Sequence, residues 1–137
     1  MKVKKLGVLL VFFVGCYGGA TPSEKVARLF MDHYYVEASL EKAAQDSDSI
    51  AQDKVKKGIQ LTDGKPFDRS ANHPDVSYKL LESHVEGEEA DYFFELVIKP
   101  PKSDTIRKKA LLKIRRRENG LWKVSQFTDY DQENKLP

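Results

Sequence analysis

The chain has 137 residues and carries 23 Lys plus Arg against 21 Asp plus Glu, a formal charge of +2. Three of the bases, Lys2, Lys4 and Lys5, precede the apolar run 6–14, so without residues 1–15 the chain has 20 bases and 21 acids. A nucleic-acid partner therefore does not follow from the charge. The remaining 122 residues suffice for one domain but not two, and the single cysteine excludes an intramolecular disulfide framework and a multi-cysteine metal site.

The run from Leu6 to Val14 is about nine residues, whereas a membrane-spanning helix needs roughly 20. A basic start, a short apolar stretch and small residues after it have the layout of an export signal. The run ends in Phe13-Val14-Gly15-Cys16. This resembles the bacterial lipobox, with Phe13 standing where Leu is usual. In that arrangement the thiol of Cys16 receives the diacylglyceryl group, and fatty acyl chains such as palmitate hold the chain at a membrane. Residues 1–15 are then a signal peptide and 16–21 a short tether. Two other readings stay open: Gly18-Gly19-Ala20 as an ordinary signal-peptidase site that releases a soluble periplasmic or secreted protein, and Cys16 as a plain buried thiol. Tyr17 follows the cysteine where an Asp would mark inner-membrane retention, which favours the outer membrane in a Gram-negative cell.

Thr21-Pro22-Ser23-Glu24 predicts a helix start, with Thr at the N-cap, Pro at the first helical position and Glu three residues after the cap. Val26, Ala27, Phe30, Tyr34 and His33 follow at helical spacing as one apolar face, with Asp32 on the solvent side. The pattern continues through Leu40, Ala43 and Ala44 after a bend near 36–39. A second, shorter helix is predicted after Asp46-Ser47-Asp48-Ser49, burying Ile50, Ala51, Val55 and Ile59. Residues 62–75 read as a loop.

Beyond it the period becomes alternating. Val76–Val85 predicts a strand with Tyr78 and Leu80 on one face and Leu81, Ser83 and Val85 near the other. Glu86-Gly87-Glu88-Glu89 reads as a turn. Tyr92–Lys99 places Tyr92, Phe94, Leu96 and Ile98 together, and Pro100-Pro101 ends it. Ile106–Arg117 is a third strand. Asn119-Gly120 predicts a two-residue hairpin turn with positive φ at both positions, before a last strand through Trp122, Val124 and Phe127. Asp129–Pro137 reads as polar and frayed, with residues 131–137 outside the domain 22–130.

Helices followed by antiparallel strands define an α+β class, the helices packed on the apolar face of a curved sheet. Pro22, Val26 and Phe30 of the first helix, with Gly120-Leu121-Trp122-Lys123-Val124-x-x-Phe127 at the close, resemble the nuclear transport factor 2-like superfamily, a cystatin-like α+β cone. In particular they resemble its export-signal-bearing bacterial members. The resemblance implies a space between helices and sheet, in which enzyme members place Asp, His or Tyr. Here Asp32, His33, Tyr34 and Tyr35 with Tyr78, Tyr92 and Trp122 are the candidates for chemistry, and Phe30, His33, Tyr34, Tyr78, Tyr92, Phe94 and Trp122 the possible pocket. Adjacent helical residues diverge by about 100°, which sets Asp32 and Tyr34 in different directions and favours a core or rim role over catalysis.

His33, His73 and His84 have no ligand spacing, and there is no phosphate loop or nucleophile elbow, so no metal and no cofactor is expected. Arg107, Lys109, Lys113, Arg115 and Arg117 share one parity. They form either a stripe for an anionic partner such as lipid headgroups, or a solvated face that Glu95 partly neutralises. The expectation is a membrane-anchored envelope protein that binds another envelope protein or a small ligand without catalysis. The alternatives are a pocket enzyme of isomerase, cyclase or dehydratase type, and an accessory component of an envelope or secretion complex.

Overall fold

The computed structural model describes residues 20–61 and 74–132. Helix α1 (Pro22–Met31) begins where the sequence places it: the Thr21 hydroxyl oxygen accepts from the Glu24 N–H, and Pro22 takes the first helical position. Its inward stripe is Ser23, Ala27, Phe30 and Met31, all buried.

The helix then widens into a π turn over Asp32–Val36, with the Glu37 N–H donating to the Asp32 carbonyl five residues back at 2.7 Å. Ala38 adopts φ +53° in the bend that follows, and α2 (Leu40–Gln45) resumes the helical direction. Helix α3 (Ser49–Leu61) has thirteen residues, shorter than the bent helical stretch from Pro22 to Gln45 as expected, though longer than α1 alone. It buries Ala51 and Val55, while Ile50 is 64% exposed and does not join the core. Gly58 is explained by packing, because a Cβ there would lie 3.3 Å from Leu40 Cδ1.

Four antiparallel strands follow in sequential order: β1 (Asp75–Glu86), β2 (Glu89–Lys99), β3 (Ile106–Arg116) and β4 (Trp122–Asp131). One face carries Ala90, Tyr92, Phe94 and Leu96 of β2, Ala110, Leu112 and Ile114 of β3, and Val124 and Phe127 of β4, all buried. The helices supply Ala27, Phe30, Met31, Ala43, Ala51 and Val55 to the same core. Between the two layers apolar side chains leave water together, which is the term that holds the helices on the sheet.

Three details depart from simple alternation. Val124 and Phe127 are both buried although three residues apart, because the β3–β4 register shifts between Lys113 and Ile114 and leaves Ser125 as an extra residue. A second shift between Leu80 and Glu82 turns Ser83 and Val85 to the same face as Tyr78 and Leu80, opposite Tyr92 and Ala90, rather than to the other face. At the last hairpin only Gly120 has positive φ (+84°), while the Gly120 N–H donates to the Arg117 carbonyl and the Arg117 N–H to the Leu121 carbonyl. The turn is therefore the three-residue kind closed by a left-handed glycine, and Asn119 instead caps it by accepting from the Leu121 N–H at 3.0 Å.

Residues 129–131 are part of β4, not of a frayed tail, since they pair with Lys108, Lys109 and Ala110. The start of β4 is covered along its outer edge by residues 46–48, through Asp48 N–H to Val124 C=O and Val124 N–H to Asp46 C=O, both 2.9 Å. That cover removes part of an otherwise open sheet edge.

Candidate functional site

The π turn is the element that aims polar side chains at the strands of the sheet. Widening the turn sends Asp32 toward β1 and Tyr35 toward β4. The Tyr78 hydroxyl donates to Asp32 Oδ1 at 2.7 Å and lies 3.3 Å from the Arg28 carbonyl, so Asp32 is not a solvated residue but a half-buried acceptor. On the other side the Tyr35 hydroxyl donates to Asp129 Oδ2 at 2.7 Å. Lys108 Nζ reaches Asp129 Oδ1 at 3.3 Å and Asp131 at 3.6 Å. Both oxygens of Asp129 are thus engaged, one by a phenol and one by an ammonium.

Between these pairs aromatic rings pack on one another. The Tyr34 ring stacks on Phe30 at 5.4 Å and meets Phe127 edge-on at 4.9 Å, while Phe30 lies 4.8 Å from Phe127. Tyr78 meets Phe94 edge-on at 5.5 Å. Such contacts are favourable in the offset and edge-to-face geometries found here.

Six of the seven possible pocket residues belong to the core or border it: Phe30, Tyr92 and Phe94 lie in it, and Tyr34, Tyr78 and Trp122 pack against it. Phe30, Tyr92 and Phe94 are fully buried. The Tyr92 hydroxyl is spent on Ser23 Oγ at 2.6 Å and Thr21 Oγ1 at 3.2 Å under the first turn of α1. His33 is turned to Asp46 and forms an ion pair with it when protonated. Trp122 lies at the far end of the sheet, level with Arg116.

A depression of ≈ 220 Å³ lies elsewhere, beside the start of α3, and is lined in part by Ser49, Ile50, Glu89, Lys113 and Arg115. None of the possible pocket residues lines it.

Burial and the neighbouring carboxylates shift the tyrosines in one direction. Burial first, then the Asp129 charge and its hydrogen bond, hold the Tyr35 proton far above the usual phenol range. Tyr78 is pushed up to about 12, by burial and then by the hydrogen bond and charge of Asp32. Tyr34 is also raised, by burial and by Asp129. Tyr35 and Tyr78 are neutral donors already committed to carboxylates, not bases.

An alkaline prediction follows. A raised phenol pKa means that the folded chain holds the proton more tightly than the unfolded chain, whose tyrosines titrate at about 10. The resulting stability is complete below about pH 10 and falls as pH rises from there through the folded-state value, about 12 for Tyr78. Urea unfolding repeated at stepped alkaline pH should show this decline. In the Tyr35→Phe, Tyr78→Phe double variant the decline should be shallower, and an equal slope would remove these two groups as its cause.

The basic stripe resolves into a ladder. Arg107, Lys109, Lys113 and Arg115 lie on the face of β3 away from the helices, and β2 sets an acid opposite three of them: Glu95 opposite Lys109, Asp91 opposite Lys113, Glu89 opposite Arg115. Arg115 contacts Glu89 at 3.2 Å and Arg107 contacts Glu95 at 3.4 Å. Arg117 leaves the stripe, lying past the end of β3 and pairing with Asp48. The alternation of β3 showed the parity, but the opposing acids became visible only with the register.

Solved structures with the same arrangement decide the fold. A ketosteroid isomerase-like protein from Erwinia carotovora atroseptica SCRI1043 superposes with a TM-score of 0.59 at 10% identity, over 80% of this chain and 93% of that one. A putative calcium/calmodulin-dependent protein kinase type II association domain from Thiobacillus denitrificans ATCC 25259 also gives 0.59, at 13% identity over 79% and 93%. A variant of Rd1NTF2_05 gives 0.56 at 14% identity over 78% and 95%. The chain has the nuclear transport factor 2-like fold. At these identities the likeness carries the cone and its sheet, not an activity. No protein-family model matches the chain, and no curated protein matches it.

Proposed function

We propose that the chain is an exported bacterial envelope lipoprotein, anchored through Cys16, whose nuclear transport factor 2-like domain works by binding and not by catalysis. One observation supports the non-catalytic part: among the described residues, the candidate polar groups of the helices are paired with partners on the strands or on one another. Tyr78 is bound to Asp32, Tyr35 and Lys108 to Asp129, and His33 to Asp46, while the rings of Phe30, Tyr34 and Phe127 pack on one another. A pocket enzyme needs an acid, base or oxyanion donor facing a substrate space, and these donors face partners instead. The alternative reading, a small-molecule isomerase, cyclase or dehydratase, is favoured only by the likeness to a ketosteroid isomerase-like protein.

Anchoring rests on the sequence, because Cys16 and the apolar run 6–14 lie outside the described residues. Two or three acyl chains, each CH₂ worth about 0.8 kcal/mol when buried, hold a protein at a bilayer stably where a single chain does not. The test is metabolic labelling with a palmitate analogue in a bacterial host. The expected result is a labelled, membrane-bound chain whose label and membrane fraction are both lost in Cys16→Ala. An unlabelled, soluble chain beginning at Thr21 would overturn the anchor and support release by ordinary signal peptidase. The binding partner of such a module is another envelope protein or a small ligand. The Lys/Arg row of β3 suits an anionic surface poorly, since Glu89, Asp91 and Glu95 stand beside it.

A further inference from the structure

Two opposite charges stand level across β2 and β3 without meeting. Asp91 lies opposite Lys113 in the register, yet neither side chain holds an ion pair or a hydrogen bond among the described residues. Asp91 is half-buried and Lys113 exposed. Two positions along the strands the ordinary pairing is made, with Glu89 and Arg115 in contact at 3.2 Å. All four residues line the depression of ≈ 220 Å³ beside the start of α3. Because Glu89 and Arg115 satisfy one another, the charges left for a ligand there are one carboxylate and one ammonium.

The rest of the lining adds shape and polarity. Ser49 brings a hydroxyl, and Gln126, level with Lys113 on β4, brings an amide. Ile50, 64% exposed and outside the core, brings an apolar wall. The volume is that of about seven liquid-water molecules, which admits a molecule of amino-acid size, whereas drug-sized ligands take about 300–1,000 Å³. A ligand of one sign gains from one of the two unpaired charges and is repelled by the other. A zwitterion gains from both, its ammonium donating to the Asp91 carboxylate and its own carboxylate accepting from the Lys113 ammonium. An aliphatic body on that ligand leaves water against Ile50.

We propose that the depression beside α3 is a binding site for a small zwitterion, an aliphatic amino acid or a short peptide of such residues, held between Asp91 and Lys113 with Ile50 against its side chain. The inference rests on the reading of the domain as a binding module and names that module's ligand class. The site is separate from the space between helices and sheet, since no residue of the possible pocket lines it.

Titration calorimetry of the whole chain with leucine, leucyl-leucine, leucinamide and 4-methylpentanoate tests it. Leucinamide keeps the ammonium alone and 4-methylpentanoate the carboxylate alone. The expected result is saturable binding of leucine or leucyl-leucine, the tighter of the two telling a free amino acid from a peptide, with each single-charge analogue weaker by about tenfold or more. Two variants sort the charges. Asp91→Asn should bind the zwitterion no better than 4-methylpentanoate, and Lys113→Gln should bind it no better than leucinamide. Circular dichroism melts check that both are folded. If either is not, Ile50→Ser replaces it and should weaken leucine more than glycine. No saturable binding of either zwitterion, single-charge analogues that bind as tightly, or variants that keep the full preference would each overturn the proposal. None of these results touches the binding reading itself, which falls instead if the chain turns a substrate over.

Discussion

Phe30→Ala is expected to lose about 3–5 kcal/mol of unfolding free energy, a large share of the roughly 5–15 kcal/mol that holds an ordinary domain. Phe30 is fully buried, and its ring is the common neighbour of Tyr34 and Phe127. Removing it takes away both the transfer of an aromatic side chain from water and the contacts that close the cone between α1 and β4. The site has little means to collapse, because Tyr34 is tethered by the π turn and Phe127 by the bulged strand. Urea unfolding followed by circular dichroism measures the loss. Phe30→Leu, which keeps most of the volume, should cost about 1–1.5 kcal/mol. A loss below about 1 kcal/mol for the alanine variant would mean that the interior is an open space with room for a ligand, and the non-catalytic reading would then lose its support.

Asp129→Ala should be the next most costly change, at about 2 kcal/mol, because two donors lose their acceptor in a half-buried setting. The Tyr35 hydroxyl has Asp129 as its acceptor, and Lys108 keeps only the longer 3.6 Å contact to Asp131. Asp129→Asn retains an acceptor for the phenol but not the charge that holds Lys108, so about half of the loss should return. A double-mutant cycle with Tyr35→Phe isolates the phenol–carboxylate pair, and a coupling near 1 kcal/mol is expected. The same variant provides a second readout. Without the Asp129 charge and hydrogen bond the Tyr35 phenol should titrate at lower pH, since those are the causes that act after burial. If stability is unchanged and substrate turnover is lost instead, Asp129 belongs to a catalytic site.

The helix start at Thr21, the switch from helical to alternating period, and the strand faces of β2 and β3 follow from side-chain spacing alone. Each depends on neighbours within a few residues: a hydroxyl reaching an N–H three positions on, or apolar groups recurring every second residue. The α+β class follows from the same local signals, because helices and strands that each bury one face have few ways to cover it. The sequence alone was likewise enough to separate the basic residues 1–15 from a nearly neutral remainder and to single out Cys16 at the end of the apolar run.

Tertiary structure decided what depends on an unpaired residue or a distant partner. A bulge adds one residue without altering composition, so the alternation in β1 placed Ser83 and Val85 on the wrong face, and the burial of both Val124 and Phe127 had no local explanation. The π turn is invisible for the same reason, since one extra residue per turn leaves no mark in residue type, yet it carries Asp32 to Tyr78 and Tyr35 to Asp129. Those partners are 46 and 94 residues away along the chain. The nearly neutral charge met at the start also changes meaning: on the outer sheet face Glu89, Asp91 and Glu95 of β2 stand level with Arg115, Lys113 and Lys109 of β3, through an antiparallel register that only pairing between strands could set.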